Sequence, residues 1–198
     1  MDIPDTALKI LTLGRFSISI NGIPVATAWP DESTKVFFCS LLSPLDLYFS
    51  WDRICRSMWD IPVTQTNRRR LEECIIRPLT IFLIKELGYN PLVAGKDGIR
   101  IDHSNIQIDA HEFHKAVVEG LELLSFGSHA AALKKLSLAK SLYVGSYLPG
   151  MPGKIIENAR RDLDSLYRTA VLVGIWHARN DSRVPTPQHT PQLIRRVA

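Results

Sequence analysis

TQTNRRRLEECIIRPLTIFLIKELG, residues 64–88, reads as a helix with a basic leading end. Pro62 to Thr66 form a polar turn, and the helix runs from about Asn67 to Leu87. Leu71, Cys74, Ile75, Leu79, Phe82 and Leu83 recur at three- and four-residue steps, which makes one apolar stripe. At about 100° per residue, Arg70, Glu73, Arg77 and Thr80 fall together on the opposite face. Pro78 lacks a backbone donor inside this run and predicts a kink or a split into two helices. Gly88 suits the left-handed residue that ends a helix.

Working outward, two shorter helices precede this one. Pro30-Asp31-Glu32-Ser33 places acidic residues at the start of a helix that runs to about Leu42. Ser50 is the natural N-cap of a second helix, Trp51 to Trp59. Upstream, Leu8 to Val25 reads as a hairpin turning at Asn21-Gly22. Downstream, Leu92-Val93-Ala94 and Ile99-Arg100-Ile101 are strands joined by a turn at 95–98. Hairpin, three helices and a second hairpin are the order of a winged helix-turn-helix domain.

That order gives the basic helix a chemistry. Cationic side chains neutralise phosphates and supply most of the affinity for double-stranded DNA. Forked Arg, Gln and Asn side chains at a leading end can read base edges in the major groove. The expected contact set is Thr64, Gln65, Asn67, Arg68, Arg69, Arg70 and Arg77, with Lys96 and Arg100 on the wing. Glu72 and Glu73 balance the arginines. Ile76, Ile81 and Ile84 lie off the main stripe, which points to a helix covered on more than one side, by the second domain or by a partner chain.

The second half changes character. Helices are expected over Ile108 to Leu124, His129 to Tyr143 and Lys154 to about Trp176. Small residues at their crossings suggest tetratricopeptide-like packing. The fold class is therefore mainly α with small β-sheets. A winged helix-turn-helix domain at 8–102 is followed by a helical domain at 106–178 and a flexible tail at 179–198.

Composition excludes several classes. The chain has 198 residues, 45% hydrophobic and 22% charged, with a net charge of +4, ordinary for a globular protein of two small domains. No stretch is long and apolar enough to span a bilayer. The first seven residues carry Asp2 and Asp5 and no basic cluster, unlike a secretory signal. A cytoplasmic location follows as the expectation. Cys39, Cys55 and Cys74 sit among apolar residues without a metal-ligand spacing and read as buried, reduced thiols. Trp29, Trp51, Trp59 and Trp176 read as core or domain-interface residues. His111 and His114 lie three apart on a helix, but no third ligand accompanies them, so a metal-dependent hydrolase is the weakest reading. No nucleophile, phosphate-binding or dinucleotide motif is present. No catalytic set, metal or cofactor is expected.

Several segments together resemble the Streptomyces antibiotic regulatory protein family. Leu8-Lys9-Ile10-Leu11-Thr12-Leu13-Gly14-Arg15-Phe16 is similar to its opening strand. Ser50 to Trp59 is similar to its second helix, and Leu83 to Gly88 to the end of its recognition helix. Asp109-Ala110-His111-Glu112-Phe113 resembles the start of the family's bacterial transcriptional activator domain. Ala130 to Leu133, Leu142-Tyr143-Val144-Gly145-Ser146-Tyr147-Leu148-Pro149-Gly150, Arg160 to Leu163 and Leu166-Tyr167 continue it. The resemblance covers about residues 8–176. It implies an OmpR-like winged helix and an activator that works as a homodimer on repeated half-sites, in contact with RNA polymerase. The competing reading is a protein-interaction module whose winged helix has lost DNA affinity; Pro78 and the extra isoleucines motivate it.

Overall fold

Asn21 and Gly22 both have positive φ, 50° and 81°, the backbone of a tight turn between paired strands. They join β2 (Ser17–Ile20) to β3 (Ile23–Pro24), and β1 (Leu8–Leu11) pairs with the other edge of β2. The hairpin expected at 8–25 is thus a three-stranded meander. The extra reversal falls at 12–16, where Gly14 has φ 77°. The computed structural model describes residues 8–25, 28–46 and 48–181; the tail expected at 179–198 lies outside them from residue 182 onward.

Each helix start follows from its capping residue. Asp31 accepts from the Thr34 backbone N–H at 2.8 Å and from its hydroxyl at 2.7 Å, opening α1 (Glu32–Ser40). Ser50 accepts from the Arg53 N–H and opens α2 (Trp51–Trp59). Thr64 accepts from the Asn67 N–H at 3.1 Å and opens α3 (Gln65–Leu71), two residues earlier than the sequence suggests. A π-helical turn at Glu72–Ile76 then leads into α4 (Arg77–Leu87), which Gly88 ends at φ 80°.

The chain stays helical through Pro78, in three consecutive segments: α3, the π turn and α4. Residues 71, 72, 76 and 77 all keep right-handed helical dihedrals, and the Arg77 N–H reaches back five residues to the Glu72 carbonyl. The wider turn absorbs one extra residue just ahead of the ring, where an α-helical ladder would lose a donor and meet a clash. The buried side then advances in fours: Leu71, Ile75, Leu79 and Leu83. Cys74 is thereby turned outward and exposed, against the expectation of three buried thiols; Cys39 and Cys55 are buried.

The wing has three strands. β5 (Leu92–Ala94) and β6 (Gly98–Ile101) form the expected hairpin, and β4 (Phe49–Ser50), just ahead of α2, pairs with the free edge of β6. β7 (Ile106–Ile108), assigned by sequence to the helical half, instead runs parallel to β1 and completes a sheet of order β3-β2-β1-β7. The helical half then comprises α5 (Asp109–Ser125), α6 (His129–Leu142), α7 (Lys154–Leu166), a π turn at Tyr167–Leu172 and α8 (Val173–Asp181). Gly120 allows the close crossing of α5 and α6, since a Cβ there would lie 2.7 Å from the Leu136 side chain. Trp176, expected in a core or interface, is 60% exposed. Among the described residues no helix is long and apolar enough to cross a membrane.

One continuous core joins the two halves. Polar contacts fix their relation. The buried carboxylate of Asp109, the first residue of α5, accepts from Thr12 N at 2.7 Å, Thr12 Oγ1 at 2.6 Å, Leu13 N at 3.0 Å and Ala110 N at 2.8 Å. The Tyr-to-Pro-Gly segment returns to the same place: Leu148 N–H donates to Thr12 O at 2.7 Å and Gly14 N–H to Ser146 O at 2.9 Å. Arg160 holds that segment by donating to the carbonyls of Tyr147, Leu148 and Met151. Leu148 sits at φ 41°, a conformation that costs a branched residue energy and persists only where the surroundings over-determine it.

His111 also lies at this junction. Its Nε2 donates to the Leu42 carbonyl at 3.1 Å, and the His103 ring is 4.5 Å away. Burial, then the neighbouring His103, depress its pKa from 6.5 to about 4. The folded state therefore binds fewer protons than the unfolded chain between those values. Stability is full above pH 6.5 and falls as pH drops from 6.5 toward 4. We expect urea unfolding to show this loss, on the order of 2 kcal/mol, and His111→Gln to flatten it. An unchanged slope in the variant would assign the acid sensitivity elsewhere.

Candidate nucleic-acid interface

The leading end of the long helix and the tip of the wing are built into one unit. The indole N–H of Trp51, at the start of α2, donates to the carbonyls of Gly95 at 3.2 Å and Lys96 at 3.0 Å. The Trp51 backbone N–H donates to Asp97 O at 3.1 Å. Arg68 reaches across from α3: its guanidinium lies 4.8 Å over the Trp51 ring and donates to Lys96 O at 2.9 Å, while its Nε pairs with Glu72. A buried indole usually requires a partner for its N–H. Here that partner is the wing turn, so Trp51 fixes where the wing stands beside the helix.

Sequence reasoning missed this pillar. Trp51 reads as a core or domain-interface residue, and no local pattern in the sequence pairs a tryptophan with a turn 44 residues away. The cost of leaving a buried indole unpaired was the available signal.

The nine expected contact residues divide into three groups. Asn67 and Arg68 are half-buried and engaged with neighbouring backbone. The Asn67 side-chain amide donates to Pro62 O at 2.9 Å, which shapes the turn ahead of α3, and Arg68 is committed to the wing junction. Thr64 spends its hydroxyl as the cap of α3. Gln65, Arg69, Arg70 and Arg77 stand exposed on the helix, and Lys96 and Arg100 are exposed on the wing.

The π turn also re-sorts the outward face. Arg70, Glu73, Arg77 and Thr80 do not share one line. Arg70 leans over the Trp59 ring at 5.2 Å at the end of α2. Arg69 instead steps by four to Glu73, with Nε 2.8 Å from its carboxylate, and Glu73, Arg77 and Ile81 border one shallow groove further on. The outward line is therefore Arg69, Glu73, Arg77, Ile81 and Lys85. The expected balancing of charge is present: Glu72 faces Arg68 and Glu73 faces Arg69.

Ile81 and Ile84 are 61% and 49% exposed. The expectation that the second domain covers this side of the helix is therefore wrong. The helical half packs on α1 and α2 instead, because β7 and Asp109 anchor α5 to β1.

The arrangement offers cations on one helical face and an adjoining rigid hairpin, which is a geometry for a polyanion. Among the described residues no three His, Cys, Asp or Glu side chains converge as a metal set.

The fold is shared with Mycobacterium tuberculosis EmbR, solved in complex with a low-affinity phosphopeptide. The match has a TM-score of 0.62 at 17% sequence identity and covers 88% of this chain and 46% of that one. The present chain thus spans less than half the length of EmbR. No family model matches the chain, and a comparison with curated proteins gives no match.

Proposed function

We propose that this chain is a DNA-binding transcriptional regulator, not an enzyme, that reads the major groove with the outward face of helix 65–87 and touches the backbone with the wing. One arrangement carries the reading: Arg69, Arg70 and Arg77 are exposed on a helix whose leading end is locked to a basic wing tip. Gln65 is the polar reader at the entering end, and Lys96 and Arg100 contact phosphates. Asn67 and Arg68 act as positioning residues, and Thr64 as a cap. The EmbR-like fold is compatible with a regulator; action as an activator and a cytoplasmic location extend the same reading. Its homodimer on repeated half-sites and its contact with RNA polymerase extend the same reading, as does tetratricopeptide-like packing of the helical half.

The test is binding to a duplex from the chain's own upstream region across a salt series. Replacing Arg69, Arg70 and Arg77 together by alanine is expected to weaken binding about 100-fold and to reduce the slope of log K against log salt by about three. Binding that is absent at low salt in the parent chain, or unmoved by the triple replacement, would overturn the proposal.

A further inference from the structure

The outward line of the long helix changes character at Pro78. Ahead of it stand Arg69, Glu73 and Arg77; beyond it stand Ile81 and Ile84, with Phe82 at the edge of the groove and Lys85 at its far end. Two neighbouring isoleucines this open, on a well-packed helix, are an exposed apolar patch of the kind that marks an interaction site. Nothing in the fold needs them there: Leu79, Leu83 and Leu87 already supply the buried side.

We propose that the groove lined by Pro78, Ile81 and Phe82, with the exposed Ile84 on the same stretch of helix and Arg77 and Lys85 at its flanks, is a docking site for an amphipathic helix of a partner protein that carries acidic residues beside its apolar face. Charge chooses the occupant. Arg77 and Lys85 lie one turn to either side of Ile81 and stand exposed, Lys85 with only a loose contact to Glu86 at 3.5 Å. Glu73, the nearest carboxylate at the leading end, is already held by Arg69. A partner helix that fills the groove with leucine or isoleucine and offers Asp or Glu at its rims satisfies both cations.

A second copy of this chain fits badly. A two-fold antiparallel pairing centred on Ile81 sets Arg77 against Lys85 of the other copy, and a parallel pairing sets each cation against itself; like charges in apposition cost affinity. DNA also fits badly, since the apolar patch would face phosphates. Gln65 and Ile81 are separated by about 24 Å along the axis, at 1.5 Å per residue. A helix that enters the groove by its leading end therefore carries Ile81 out of it. Arg77 belongs to both surfaces, so partner and duplex compete for that one cation while the rest of each surface stays separate.

The experiment uses the full chain and three fluorescein-labelled synthetic peptides of about 16 residues. One has leucines at helical spacing flanked by Glu; the second has Lys in place of Glu; the third is a scrambled Glu peptide. Anisotropy titration is expected to show the acidic amphipathic peptide binding at least about tenfold tighter than the other two. Ile81→Glu should reduce that binding about tenfold, and Arg77→Glu with Lys85→Glu should reverse the preference toward the Lys peptide. Thermal melts should match the parent for all variants, because the side chains are exposed. Equal binding of the three peptides, or binding indifferent to Ile81→Glu, would overturn the proposal. So would sedimentation showing a dimer that Ile81→Glu dissolves, which would make a second copy the occupant. Arg69→Ala, which should weaken DNA binding, is expected to leave peptide binding unchanged, so failure of the DNA reading and failure of this one are told apart.

Discussion

Asp109→Ala is expected to destabilise the chain by about 4 kcal/mol, because it strips the acceptor from buried donors that then have no water to turn to. Four hydrogen bonds end on this one carboxylate, all between 2.6 and 3.0 Å. Two come from backbone N–H groups at the end of β1, which no rotamer change can redirect. For a protein of this size the loss corresponds to about 10 °C in Tm. Urea unfolding at pH 7 measures it. Asp109→Asn keeps one acceptor oxygen and should lose about half as much. Because the contacts join α5 to β1, amide exchange should quicken first at Thr12 and Leu13 and along the Ser146–Leu148 segment that pairs with them. A variant as stable as the parent would show that the shared apolar core alone holds the two halves together.

That junction was only half legible in the sequence. Asp109 and the Tyr-to-Pro-Gly segment stood out as a resemblance, and the resemblance placed them in a helical domain of its own. It could not show that both close back on Thr12, because a contact across 97 residues leaves no periodic trace. The local elements were legible wherever a single residue type decides them. Ser50, Asp31, Asn21-Gly22 and Gly88 each do what their side chains favour at a cap or turn. The helix of 65–87 was legible as a helix and misread as a surface. A period of 3.6 assigns Cys74 to the buried side and Arg70 to the side of Arg77. One π turn ahead of Pro78 moves both. Of the candidate site, the exposed cations Arg69, Arg70, Arg77, Lys96 and Arg100 could be named in advance. The backbone contacts of Asn67 and Arg68 depend on Pro62 and on the wing turn, which only the fold brings near.

Gly98→Ala is expected to detach the wing. A Cβ at this position would lie 2.1 Å from the Phe49 carbonyl oxygen and 2.7 Å from the Tyr48 ring. Backbone cannot rotate away as a side-chain tip can, so β4 must separate from β6. That separation removes the Phe49–Ile99 and Ser50–Gly98 pairing and pulls on the Trp51 N–H bond to Asp97. We expect a loss of about 3 kcal/mol and faster exchange of the Trp51 indole and backbone protons. The functional consequence separates scaffold from contact. Gly98 presents no side chain to a ligand. If the wing tip must stand where Trp51 and Arg68 hold it for Lys96 to meet a phosphate, duplex affinity should fall about tenfold, with the salt slope reduced by about one. The helix face carrying Arg69 and Arg77 should still bind. Trp51→Phe offers the gentler version: it keeps an aromatic ring under Arg68 but removes the indole donor and part of the buried ring volume, and should move affinity in the same direction by a smaller factor. If both variants bind the duplex as the parent does, the wing is a structural cover for α2, and the helix alone makes the contact.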